Sequence, residues 1–408
     1  MAAGHLLAAV TANGQELQRS QDSQQGQEPD GGAPDGVADP NLPLKDFRPI
    51  PELRVENTNL QAARYPVIDI HTHFGFRFKG SHEQLAAFVR TMNQHKIAIC
   101  VSLDATLGKS LDSHQEYLLS IYPTRFAVFV HLDFQGAGKP DQPSTWACNQ
   151  PGFARSVALQ LAEAKRQGAV GLKFFKQFGL GYKNPDGTLI TIDDRRWDPI
   201  WEACGQLELP VIIHTADPAA FFKPINKYNE RYEELSRHPD WSFFGEQFPS
   251  RQQLLAARNR VIERHPKTLF IGAHVANNPE DLATVAGWLD RYPNLVVELA
   301  SRIGELGRQP YTARDFLIAY QDRVLFGTDG PWPEMRLTSY WRFLETRDEY
   351  FPYSEKAFPP QGFWQIYGVD LPDEVLQKIY YKNALRILPS LQSQYEAASQ
   401  QVSDADRR

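Results

Sequence analysis

The chain has 408 residues, 42% hydrophobic and 23% charged, a balance ordinary for a folded globular protein. Its net charge of −6 offers no electrostatic footprint for nucleic acid or an anionic membrane surface. No run approaches the ~18 consecutive apolar residues of a membrane span, and Cys100, Cys148 and Cys204 show no spacing for a disulfide framework or a zinc knot.

The first element is a non-element. LLAAV at 6–10 is short for a signal-peptide core and has no Lys or Arg before it. The stretch QELQRSQDSQQGQEPDGGAPDGVADP that follows buries too little apolar surface to offset its ordering entropy. Residues 1–44 are therefore expected to be a disordered tail or linker, and 45–65 a lead-in. Linkers of this kind often follow an export signal, so export stands as the alternative to a cytoplasmic default. The polar residues 391–408 are expected to form a second tail.

From Pro66 onward, apolar runs alternate with helix-like segments. The runs are VIDIH (67–71), IAICVSL (97–103), FAVFVHL (126–132), AVGLKFF (169–175), PVIIHT (210–215), TLFIGAH (268–274), LVVELA (295–300) and VLFGTD (324–329). Near-continuous runs of this length suit parallel strands covered by helices. Amphipathic stretches such as SHEQLAAFVRTMNQHK and RQQLLAARNRVIERH lie between them, with Gly168 and Pro293 as helix stops. Eight such alternations over 66–390 predict an α/β fold, a single-domain (β/α)8 TIM barrel with long loops after strands five and eight. An open doubly wound sheet is the alternative.

In a barrel of this kind, chemistry sits where strands meet the loops that follow them. His71 and His73 lie at that end of strand one, two residues apart and so on one face. His214, His274 and Asp329 close strands five, six and eight. Any one of these could be a satisfied core or loop residue. Five recurring at one geometric position point to a metal site.

The stretches VIDIHTHFG, PVIIHTAD, FIGAHVANNPEDL, VLFGTDGPWP and YYKNALRIL, in that order, resemble the amidohydrolase superfamily. The resemblance is to its amidohydrolase-related branch, which includes decarboxylases similar to aminocarboxymuconate-semialdehyde decarboxylase. It implies that His71, His73, His214 and Asp329 bind metal and that His274 is catalytic beside them, with Asp329 also carrying protons. Binuclear relatives bridge two ions through a carbamylated lysine after strand four, where Lys173 stands. The other reading of Lys173 is an ammonium at the barrel mouth that pairs with a substrate carboxylate or Glu298, and one metal is the expectation. Three imidazoles and a carboxylate suit Zn²⁺, with Mn²⁺, Fe²⁺ or Co²⁺ also fitting. Asp69 is expected either to orient His71 or to bond nearby backbone.

The implied chemistry is hydrolysis of an amide, lactone or ester of a small carboxylated substrate by a metal-activated water. The alternative is non-oxidative decarboxylation of an aromatic or unsaturated acid, which the two prolines of GTDGPWP resemble. A non-catalytic binding barrel is a third reading. Substrate residues must come from loops. Arg302 and Arg308 are candidates for an anion clamp, and Trp332, Tyr340 and Trp341 for a wall or a homo-oligomer interface. The long segment 216–250 offers Phe221, Phe222, Tyr228, Tyr232, Trp241 and Phe244 as a roof over a ring, with Lys223, Lys227 and Arg231 as cations.

Overall fold

The alternation of apolar runs becomes a barrel because each strand has two apolar faces and needs cover on both. The computed structural model describes residues 41–43, 47, 50–354 and 361–405. The eight strands are β1 (Val67–Thr72), β2 (Ile97–Thr106), β3 (Phe126–His131), β4 (Gly171–Phe174), β5 (Val211–Ile213), β6 (Phe270–Gly272), β7 (Leu295–Glu298) and β8 (Val324–Leu325). They pair in parallel in chain order, β1 to β8. The seam between β8 and β1 is drawn together by Ile70 N–H on Phe326 O, Asp329 N–H on His71 O and His73 N–H on Gly330 O. All eight runs read from the sequence are strands.

β4 shows the two-faced logic. Leu172 and Phe174 pack outward with the helix layer, Phe174 lying 4.3 Å (ring centroids) from Trp201. Lys173 between them points the other way, with Nζ 3.3 Å from His71 Nε2. Helices cover the outside, and their starts carry the expected signals. Ser81 caps His82–Gln94, and Ser250 with Gln253 forms a full capping box for Arg251–Arg264. The three cysteines are buried and free. Among the described residues, no helix is long and apolar enough to cross a membrane.

Residues 391–408 depart from expectation. Gln392–Ala405 is a helix, and the tail reading is corrected. Its composition is polar, but Leu391, Tyr395, Ala398 and Val402 recur at helical spacing and are buried. Tyr395 and Ala398 pack with Ile68, Ile99, Ile212 and Val296. Tyr395 Oη donates to Pro66 O and Gln394 Nε2 to Phe126 O, so the helix closes the N-terminal end of the barrel.

The lead-in also docks. Thr58 bonds Asp348 through both N–H and Oγ1, and Arg64 meets Glu345 and Asp373. The disorder expected for 1–44 lies outside the described residues apart from 41–43, which are exposed.

The long segment after β5 makes its own small core of Phe221, Leu235 and Phe243 with Leu254 and Leu255. That corrects the picture of a roof over a ring. Phe221 is buried in that core, with Phe222 and Trp241 packed against it, while Tyr228 is 83% exposed. Tyr340 and Trp341 are fully buried, Trp341 stacked on Phe326, so neither forms a loop wall or a subunit surface.

Candidate metal centre

β1 delivers His71 and His73 past an irregularity in its pairing between Asp69 and Thr72. Each imidazole has its Nδ1 on a buried carboxylate. His71 Nδ1 lies 3.0 Å from Glu298 Oε1, and His73 Nδ1 lies 2.6 Å from Asp104 Oδ1. A carboxylate only accepts, so the ring protons sit on Nδ1 and the Nε2 lone pairs are left for a ligand. Those two Nε2 atoms stand 3.2 Å apart. Asp329 Oδ1 faces both, 3.5 Å from His71 and 3.3 Å from His73. Three donor atoms with their electron pairs turned on one another fit a divalent cation.

Asp329 reaches this place through a left-handed backbone, φ 64°, uncommon for a residue with a Cβ. Its N–H is used by His71 O, its carbonyl by Arg77 Nη2 at 2.9 Å and its Oδ2 by Ser301 Oγ at 3.2 Å. Burial alone would raise its carboxyl pKa. His73, His71 and His274 outweigh that and hold it well below the usual range.

A second trio, His71, His274 and Glu298, also has its ligand atoms mutually within reach. Glu298 is already committed there, accepting from the His71 ring, His274 N–H and Ala300 N–H. It is a buried scaffold that ties β1, β6 and β7 together.

His274 sits on an unusual support. Residues 274–277 all have positive φ, between 51° and 57°. Such a turn costs about 1–2 kcal/mol per residue for side chains with a Cβ. Arg251 and Arg258 hold it from behind through the carbonyls of Asn277 and Ala276. His274 Nδ1 donates to Ala300 O at 2.8 Å, and burial, with Arg302 and His214 nearby, keeps the ring neutral. His214 lies against it, ring centroids 4.6 Å apart. His214 joins neither trio. Its Nε2 lies 3.1 Å from Ala216 O, which leaves Nδ1 with the free lone pair. Burial lowers its pKa to about 4.

Lys173 is buried beside His71, and burial lowers its pKa to about 8 against the pull of Asp329, Glu298 and Asp104. Asp69 takes the second of its two expected roles. It accepts His71 N–H and Thr328 N–H, fastening β1 to the end of β8, and touches no imidazole.

Trp332 is placed differently from a substrate wall. Arg77 and Arg336 lie against it, 3.8 Å and 3.6 Å from the ring centroid, and its N–H is spent on Thr328 O. The ring is thus already engaged by two guanidinium groups. Arg302 is buried and donates to Ser301 O, close to the centre. Arg308 faces Glu230 and covers Trp364, away from it. Arg231 is buried in a pair with Glu305 and cannot serve as a free cation. Lys223, Tyr228, Glu305 and Arg308 border a separate cavity of about 410 Å³, which none of the metal-centre residues lines.

Four residues at the centre escape a reading of the sequence: Asp104, Phe76, His131 and Phe175. Phe76 and Phe175 stand beside His73, ring centroids at 5.7 and 6.2 Å. They lie 6.1 Å from each other, and His131 adds a third ring 5.4 Å from Phe175. Phe76 is 39% exposed, an aromatic face open beside a polar centre. Phe175 ends the run read as strand four, and its neighbour His73 comes from strand one. Only the sheet order brings the two together.

A family model described as Amidohydrolase matches residues 68–389. No curated protein sequence matches the chain. Among solved structures, the chain is similar to a dihydroxybenzoic acid decarboxylase from Polaromonas sp. JS666 with bound manganese and 2-nitroresorcinol. The identity is 16%, covering 81% of this chain and 99% of that one, with a TM-score of 0.48. A probable 2-pyrone-4,6-dicarboxylic acid hydrolase from Acinetobacter baumannii, with citric acid bound, is 11% identical over 79% and 99%, TM-score 0.43. An amidohydrolase from Burkholderia multivorans with bound zinc is 13% identical over 79% and 99%, TM-score 0.45.

Proposed function

The chain belongs to the amidohydrolase family, and from that premise we propose a metal-dependent enzyme that removes CO₂ from a small aromatic or conjugated acid. His71, His73 and Asp329 would hold one divalent ion, with His214 completing the set through Nδ1. The ion's chemistry is that of a Lewis acid on a substrate oxygen.

The observation that carries the reading is the aromatic wall of Phe76, Phe175 and His131 beside His73. The ammonium of Lys173 stands 5.4 Å from the Phe175 ring centroid. Flat apolar surface next to a buried cation suits a planar ring that bears a carboxylate. In this arrangement Lys173 faces the carboxylate and the wall holds the ring. The bond from ring to carboxylate carbon breaks, its electron pair stays on the ring carbon, and a proton takes the place of CO₂. That proton comes from water and is passed on by Asp329, while His274, neutral and with its Nε2 lone pair free, accepts a hydrogen bond from a substrate hydroxyl or from that water.

Hydrolysis of a lactone, amide or ester is the second reading. Its support is the position of the Asp329 carboxylate, facing both imidazoles where it would adjoin a water on the ion. The two are separated on metal-loaded protein by one paired screen. Hydroxybenzoates and muconate-type acids are followed for CO₂, and lactones and amides for released acid. Turnover confined to the second panel would overturn the decarboxylase reading.

A further inference from the structure

Asp104 lies on β2, and its side chain is 1% exposed. A buried carboxylate this close to the barrel mouth needs partners, and it has two on different elements. Oδ1 takes the ring N–H of His73 at 2.6 Å, and Oδ2 takes the backbone N–H of Phe76 at 3.1 Å. We infer that Asp104 is a positioning residue that locks His73 in its metal-ready tautomer and sets the aromatic wall against it.

The chemistry follows from what a carboxylate can do. It accepts and does not donate, so it fixes the imidazole proton on Nδ1 and leaves Nε2 turned toward His71 and Asp329. Glu298 does the same for His71 from β7. The two ligands of the pair are thus set by separate strands, β2, which pairs with β1, and β7, which lies beyond β8. Asp104 alone also reaches the wall, because the Phe76 N–H lies within the short helix Phe74–Phe78 that follows His73. Metal ligand and substrate surface therefore move with one carboxylate.

Gly75 supplies an independent handle. A Cβ there would lie 3.0 Å from Asp104 Cβ and 3.3 Å from its Oδ2. Gly75 is not among the positive-φ residues, so alanine suits its backbone and only the contact with Asp104 is strained. Gly75→Ala should displace the carboxylate while leaving every ligand in place.

The inference rests on the metal reading above, and the test separates the two. Zinc affinity is measured by chelator competition on the full chain for wild type, Asp104→Ala, Asp104→Asn and Gly75→Ala. Asp104→Ala should weaken zinc roughly 10–100-fold, the usual cost of losing such a partner. Asp104→Asn should weaken it as well, because the amide N–H₂ can turn to Nδ1 and favour the wrong tautomer. Gly75→Ala should shift affinity the same way by less. Long-range ¹H–¹⁵N spectra of histidine-labelled, metal-free protein at alkaline pH should show His73 protonated on Nδ1 in wild type and redistributed in Asp104→Asn, a change that a structural role would not produce. If Asp104→Ala does not fold, Gly75→Ala, which keeps every functional group, decides. Undiminished zinc binding in Asp104→Asn and Gly75→Ala, with wild type binding normally, overturns this inference alone. A wild type that binds no zinc overturns the metal reading and this one with it.

Discussion

Asp329 Oδ1 stands 3.3 Å from Nε2 of His73, two residues brought together from β1 and from the end of β8 by closure of the barrel. An anionic oxygen and an imidazole lone pair at that distance call for a cation between them, or for a proton on the ring. Burial would lower the His73 pKa, and Asp104 and Asp329 outweigh it and raise it.

Asp329→Asn keeps the shape and one oxygen while removing the charge and the basic site. Metal is expected to be retained weakly by the histidines, and turnover to fall ~10²–10⁴-fold, the range for a lost acid–base group. His274→Asn, at a position assigned no ligand role, should leave metal content near normal and lower turnover. Metal analysis beside the rate assay checks both. Near-wild-type turnover in Asp329→Asn sinks the assignment.

One divalent ion per chain is expected by elemental analysis, lost when His71 and His73 are replaced together. Lys173 Nζ lies 3.3 Å from His71 Nε2. Two ions per chain with a carbamate on Lys173 would overturn the mononuclear reading.

Lys173 sets a pH limb. Its pKa is lowered to about 8 by burial, so the cation is present below that value and lost as pH rises through it. If the ammonium holds the substrate carboxylate, KM should climb above about pH 8 while metal content stays constant. Lys173→Gln should show a high KM with no such limb. A wild-type KM that is flat from neutral pH to well above 8 counts against the role.

The two ends of the chain should respond oppositely to alteration. Removing residues 1–44 is expected to leave the melting temperature and turnover unchanged. Tyr395→Ala should destabilise by about 3 kcal/mol, as burial of an aromatic predicts, since Tyr395 is buried, stacks on Tyr381 and donates to Pro66 O. Thermal unfolding of the two variants side by side tests the contrast.

Much of this was legible in the linear sequence, for one reason. A residue's position relative to its own strand is local information. Apolar runs of four to seven residues mark strands, and a barrel puts the residue after each run at the same end of the molecule. His71, His73, His214, His274 and Asp329 could therefore be placed together without any knowledge of packing. The polar C-terminal segment misled because composition conceals a sparse stripe: Tyr395, Ala398 and Val402 are few among many polar residues, yet they share one helix face.

What only the tertiary structure decided is which side chain meets which. Asp104 reads as an ordinary residue inside IAICVSLDAT, and only the pairing of β1 with β2 lays it against the His73 ring. Trp332 reads as an open aromatic wall until Arg77, from the short helix after β1, and Arg336, four residues beyond Trp332, are seen to lie against its ring. Spacing along the chain sets which way a side chain points. Its partners come from strands and loops far away in sequence, and hydrogen bonds and ring contacts act over a few ångströms. The donor atoms of the candidate metal centre were therefore written locally, while their hydrogen-bond partners and the wall beside them arose only when the barrel closed.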